Sequence, residues 1–108
     1  MTIARYWRTS ILEERLDEYE AFARNVSLPM FREQDGFEGV IMSRSGNSCM
    51  VLTLWRDLVA VEQLKHSESY AATVKAIEAQ DLLSGHQTIE ISEVHLFESR
   101  QPPTARLT

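Results

Sequence analysis

The stretch Cys49–Trp55 (Cys-Met-Val-Leu-Thr-Leu-Trp) limits the possible folds more than any other part of the chain. It is mostly apolar, so it reads as a strand in the middle of a sheet, covered on both faces. Ser45-Gly46-Asn47 in front of it is a tight turn. Before that turn, Phe37, Gly39 and Ile41 alternate with Glu38, Val40 and Met42, which predicts a strand over Phe37–Ser43. A turn of a few residues makes the two strands a hairpin.

The rest of the chain is organised around this hairpin. Thr2–Thr9 reads as a first strand, with Ile3, Arg5 and Trp7 on one face and Ala4, Tyr6 and Arg8 on the other. Ser10-Ile11-Leu12-Glu13 has the form of a capping box. Leu12, Leu16, Tyr19, Ala23 and Val26 then recur at helical spacing, which predicts a first helix over about four turns. Leu28-Pro29-Met30-Phe31 restarts the chain, because Pro29 favours a first helical turn and disfavours the helix before it. Asp57 and Ser67 are N-cap residues for a second helical region with a break near His66. Tyr70, Val74 and Ile77 form its inner stripe. Gln87–Phe97 reads as a long last strand; its apolar face changes from Ile89 and Ile91 to Val94 and Leu96, which predicts a bulge or a strand whose two halves contact two different bodies. One domain is expected over 1–99 and a flexible tail over 100–108, marked by Gln101-Pro102-Pro103-Thr104.

The order strand, helix, strand, strand, helix, strand predicts an α+β fold of ferredoxin-like type, with an antiparallel four-stranded sheet and both helices on one face. Two helices cannot cover both sides of such a sheet. A homodimer stacked sheet to sheet is therefore expected.

Composition excludes several classes of function. Eleven Lys and Arg stand against sixteen Asp and Glu, a net charge of -5, and the basic residues are dispersed. Nucleic acid is not an expected partner. No apolar run approaches the ~18 residues of a membrane span, and the start Met1-Thr2-Ile3-Ala4-Arg5 is not a signal peptide. Cys49, the one cysteine, cannot form an internal disulfide, and a cytoplasmic location is the default expectation. His66, His86 and His95 lie far apart and no paired cysteine occurs, so no metal site is expected. No glycine-rich phosphate loop or other signal for flavin or nicotinamide is present, so no cofactor is expected.

Several stretches resemble the antibiotic biosynthesis monooxygenase superfamily of dimeric α+β barrels. They are Ile3–Arg8, Glu18-Tyr19, Leu28-Pro29, Gln34–Gly39 and, most distinctive, Leu52-Thr53-Leu54-Trp55-Arg56-Asp57, in which a strand ends in Trp and an acidic cap opens the next helix. The resemblance covers about residues 2 to 98. It implies a dimeric barrel with a pocket between the sheet and its helices. The superfamily's heme-degrading branch uses an Asn on the first strand and a Trp and a His on the helix after strand three. Tyr6 and Trp7 stand in the Asn region here, and Leu64 and Val74 stand at the helical positions, so no heme-degrading residue carries over.

In such a pocket a flat aromatic ligand needs stacking surfaces and a group to hold a phenolate. Arg5 or Arg8 would stabilise the anion, and Tyr6 and Trp7 would stack. His66 would accept the phenolic proton, with Tyr70 four residues on. Each residue also has a plainer role: Trp7 as core or dimer surface, Arg5 and Arg8 as surface cations, His66 as a capping residue. Trp55 serves either as a wall of the pocket or as a plug between strand and helix. Cys49 reads as an inert buried thiol.

The expected function is a cofactor-independent monooxygenase acting on a small aromatic or polycyclic substrate. His66, Tyr70 and Arg5 are its catalytic candidates, and Tyr6, Trp7, Arg8 and Trp55 its substrate-binding candidates. The alternative is a non-catalytic dimeric barrel that binds a small hydrophobic ligand. A third reading is a structural dimer whose cavity its own side chains fill.

Overall fold

The structure, a computed structural model, describes residues 1–100; the tail expected from Gln101 onward lies outside the described residues. Four strands, β1 (Ile3–Ser10), β2 (Phe37–Ser45), β3 (Ser48–Trp55) and β4 (Thr88–Glu93), form one antiparallel sheet in the order β2-β3-β1-β4. The helices are α1 (Leu16–Phe22), α2 (Leu28–Arg32), α3 (Leu58–Lys65) and α4 (Glu68–Ala79). The fold is α+β and ferredoxin-like, with β1 and the apolar β3 at the centre.

The capping box at Ser10 does not form. Strand β1 runs through Ser10, and the next backbone amides are already taken: Ile11 N donates to Asn47 O (2.9 Å) and Leu12 N to Leu82 O (2.8 Å). Ile11, fully buried, bridges to Leu83. A 3-10 turn over Glu13–Arg15 comes first, and the α-helix starts only at Leu16. Tertiary hydrogen bonds thus override a local cap signal.

Nor does the chain restart at Pro29. α1 passes through a π-helical turn, Ala23–Ser27, straight into α2, which holds Pro29 in its first turn. A wider turn relieves the clash between a proline ring and the carbonyl one turn back. The extra residue also rotates the apolar stripe. Phe22 and Ala23 are buried, while Val26 reaches solvent. The bulge expected in the last strand lies instead in β2, between Phe37 and Gly39; β4 pairs with β1 without a register shift and ends at Glu93.

The expected caps of α3 and α4 are present. Asp57 Oδ1 accepts from Ala60 N at 2.9 Å, which holds the Asp57 carboxyl below its usual range. Ser67 Oγ accepts from Tyr70 N at 3.2 Å. Two apolar clusters fill the space between helices and sheet. One surrounds Trp55, with Ile3, Phe31, Val51, Val61 and Leu64; the other surrounds Ile11, with Tyr19, Phe22, Cys49, Ile77 and Leu82. Trp7 packs against both.

Candidate functional site

Where the two clusters meet they leave a cavity of about 50 Å³ between the sheet and α1, α2 and α4. Its floor is Arg5 and Trp7 of β1, Met42 of β2 and Val51 of β3. Its roof includes Tyr19, Phe22, Met30, Phe31, Tyr70 and Ile77. The π-helical turn contributes Ala23 and Ser27. Larger clefts exist on the surface, but none has a buried charged side chain among its lining residues.

Among the described residues Arg5 is the only charged one that lines the cavity, and it is 5% exposed. It makes no ion pair among the described residues. Its Nη2 donates to the Tyr70 hydroxyl at 2.6 Å, and its guanidinium carbon lies 5.2 Å from the centre of that ring. The hydroxyl, accepting from Arg5, is left to donate its own proton elsewhere. Guanidinium and phenol together form a two-pronged hydrogen-bond donor in an apolar space, where an anion finds little competition from water. A buried charge without a counter-charge is costly. It is the feature of this fold that folding alone does not explain.

The other sequence candidates have different fates. Trp7 lines the cavity, and its Nε1 donates to Gln87 Oε1 at 3.0 Å. Trp55 does not line it; fully buried, it packs edge-on against Phe31 (6.4 Å) and Phe37 (5.7 Å) and donates to Thr53 Oγ1 at 2.8 Å. That is the plug of the two readings. Tyr6 and Arg8 point to the opposite face of the sheet from Arg5. There Arg8 lies over the Tyr6 ring (5.1 Å) and pairs with Glu90 (3.0 Å). His66 is exposed at the C-terminal end of α3 and does not line the cavity. Since Ser67 begins a new helix, His66 and Tyr70 do not share a helical face, and the structure pairs Tyr70 with Arg5 instead.

Two cavity residues carried no legible signal in the sequence. Gln87 sits in the loop before β4, and Ser27 reaches the wall only because of the π turn. Tyr19, read as core, is both core and roof. Burial pushes its hydroxyl well above the usual tyrosine range, and burial likewise raises the Cys49 thiol of the same cluster. Neither group is a base at neutral pH. No cluster of three or more metal-binding side chains occurs among the described residues, and no described helix is long and apolar enough to cross a membrane.

No protein-family model matches the sequence, and no curated protein matches it. Solved structures do. SnoaB, a cofactor-independent oxygenase from Streptomyces nogalater, is 19% identical, with a TM-score of 0.66 over 95% of this chain and 97% of its own. A structure named antibiotic biosynthesis monooxygenase is 14% identical, with a TM-score of 0.70 over 85% of this chain and 97% of its own. A conserved protein from Methanosarcina mazei is 13% identical, with a TM-score of 0.73 over 85% of this chain and 91% of its own. The ferredoxin-like sheet with its helices on one face is thus that of the antibiotic biosynthesis monooxygenase fold.

Proposed function

We propose that this chain is a cofactor-independent monooxygenase whose cavity holds the ionised oxygen of a small aromatic substrate. The observation that carries this reading is the Arg5 guanidinium, buried without a carboxylate partner and bonded to Tyr70 in an otherwise apolar cavity. The substrate binds as its phenolate, having lost its proton to water, and Trp7 lies beside the ring. An electron-rich phenolate can pass one electron to dioxygen. The resulting pair combines to form a carbon–oxygen bond, and loss of water leaves a carbonyl. One oxygen atom ends in the quinone and the other in water; the two hydrogens lost by the phenol go to that water. No external reductant enters the balance. The protein supplies positioning and charge stabilisation.

A second reading has its own support. Among the described residues no carboxylate or imidazole lines the cavity, so a non-catalytic module that binds an aromatic anion uses the same walls. Oxygen uptake separates the two. With a naphthol as substrate, wild-type protein should consume one dioxygen per quinone formed, and Arg5→Met should abolish uptake. Binding of the naphthol without uptake supports the binding module. Uptake unchanged in Arg5→Met refutes the role given to this cavity.

The protomer is proposed to pair with a second copy through the face of the sheet opposite the helices. Registered rows across that face bring Ile41, Leu52 and Tyr6 together, and Gly39, Leu54 and Ala4. Ile41 is 47% exposed in the single chain.

A further inference from the structure

The floor of the cavity continues beyond its walls. On β1 it is made by Arg5 and Trp7, whose partners on β4 are Ile91 and Ile89. Residues directly opposed in an antiparallel pair point to the same face. Ile89 and Ile91 therefore face the helix side, as Arg5 does. Yet they are 53% and 41% exposed, so the helix layer leaves them uncovered. Gln87, two residues before Ile89, both lines the cavity and reaches solvent. The cavity thus opens beside β4. Gln87 Nε2 donates to Glu78 Oε2 at 3.2 Å while its Oε1 accepts from Trp7, which fixes the rim.

The size of the cavity bears on the same point. Its 50 Å³ falls below the roughly 150 Å³ that takes a benzene ring. A ligand anchored by its anion at Arg5 must leave most of its apolar body outside. The nearest apolar surface in register with the floor is Ile91 and Ile89. This strip is too narrow for a protein partner, whose interface needs about 800 Å² a side. Gln87 and Glu93, on the same face, bound it with polar groups at both ends.

The geometry points to a distal subsite: Ile89 and Ile91 pack the outer rings of an aryl anion whose charged group is held by Arg5 and Tyr70. This rests on the reading of the cavity given above. The ligand class is an extended aromatic with its anionic oxygen at one end.

The test uses benzoate and anthracene-2-carboxylate, both ionised at neutral pH and inert to oxygen. Affinities are measured by calorimetry for the wild type, an Ile89→Thr/Ile91→Thr double variant and Arg5→Met. The double variant should bind the three-ring anion about tenfold more weakly, about 1.4 kcal/mol, and benzoate within twofold of wild type. Arg5→Met should lose both. If the double variant binds the three-ring anion as wild type does, or loses both anions equally, the subsite is refuted and the Arg5 anion site stands. If neither anion binds the wild type, both readings fall together. If the double variant changes sedimentation from dimer to monomer, the strip is an interface and the subsite is refuted.

Discussion

Arg5 and Tyr70 make a prediction that runs against the usual effect of mutating a buried residue. Phe at position 70 keeps the ring but removes the acceptor of the 2.6 Å bond. Hydrogen bonds to charged groups contribute ~1.5–3 kcal/mol. Tyr70→Phe should therefore cost about 2 kcal/mol and, at roughly 4 °C per kcal/mol for a domain of this size, lower Tm by about 8 °C. Arg5→Met exchanges a guanidinium at 5% exposure for an apolar chain of similar length. It removes a desolvation penalty of several kcal/mol but strands the Tyr70 hydroxyl, so the net change should lie near zero. The double variant removes both polar partners and leaves only apolar packing. It should equal or exceed the wild type, by about 1–2 kcal/mol, as replacements of buried charges by apolar groups do. Urea unfolding of the four proteins gives the coupling energy, expected at about 2 kcal/mol or more. A Tyr70→Phe variant within ~0.5 kcal/mol of wild type, or a double variant less stable than either single one, would refute the claim that this site is held at a cost to the fold.

Three further outcomes follow from burial and charge. Leu52→Lys, placed at the centre of the face opposite the helices, should turn a dimer into a monomer in sedimentation, while retention of the dimer would remove that face from the interface. Tyr19 and Cys49 both have raised pKa values, chiefly through burial. The folded state then holds their protons more tightly than the unfolded one, so their contribution is full below the unfolded values of about 9 and 10 and is lost as pH rises through the folded ones. Stability should fall above about pH 9, and a thiol reagent should label Cys49 at neutral pH only after unfolding; fast labelling of native protein would contradict its burial.

Periodicity and turn chemistry were enough for the fold. The apolar β3 and the caps at Asp57 and Ser67 stand where the sequence places them, because each depends on neighbours within a few residues; the alternation expected in β2 does not hold at its start, where the bulge turns Phe37 to the face of Val40 and Met42. The same local rules failed at Ser10 and Pro29. At Ser10 distant backbone groups hold the amides of Ile11 and Leu12 and keep the chain out of a helix there, and at Pro29 a π turn absorbed the proline. For the site, Arg5, Trp7 and Tyr70 were recognisable as residue types with suitable chemistry. Choosing Arg5 over Arg8, and Tyr70 over His66, was not possible without knowing which face of β1 meets α4.

The amino-acid order by itself determined the element order and the central place of β3, since hydrophobic spacing and capping are encoded within one or two turns of chain, while Trp55 stayed open between wall and plug until packing decided it. Only the tertiary structure decided that Arg5 lies buried against Tyr70, 65 residues away, and that Gln87 stands at the cavity's open rim. The physical reason is that β1 carries a mixed set of side chains on both faces. Its local pattern is therefore degenerate, and which face goes inward is settled by the packing of α4 across the sheet.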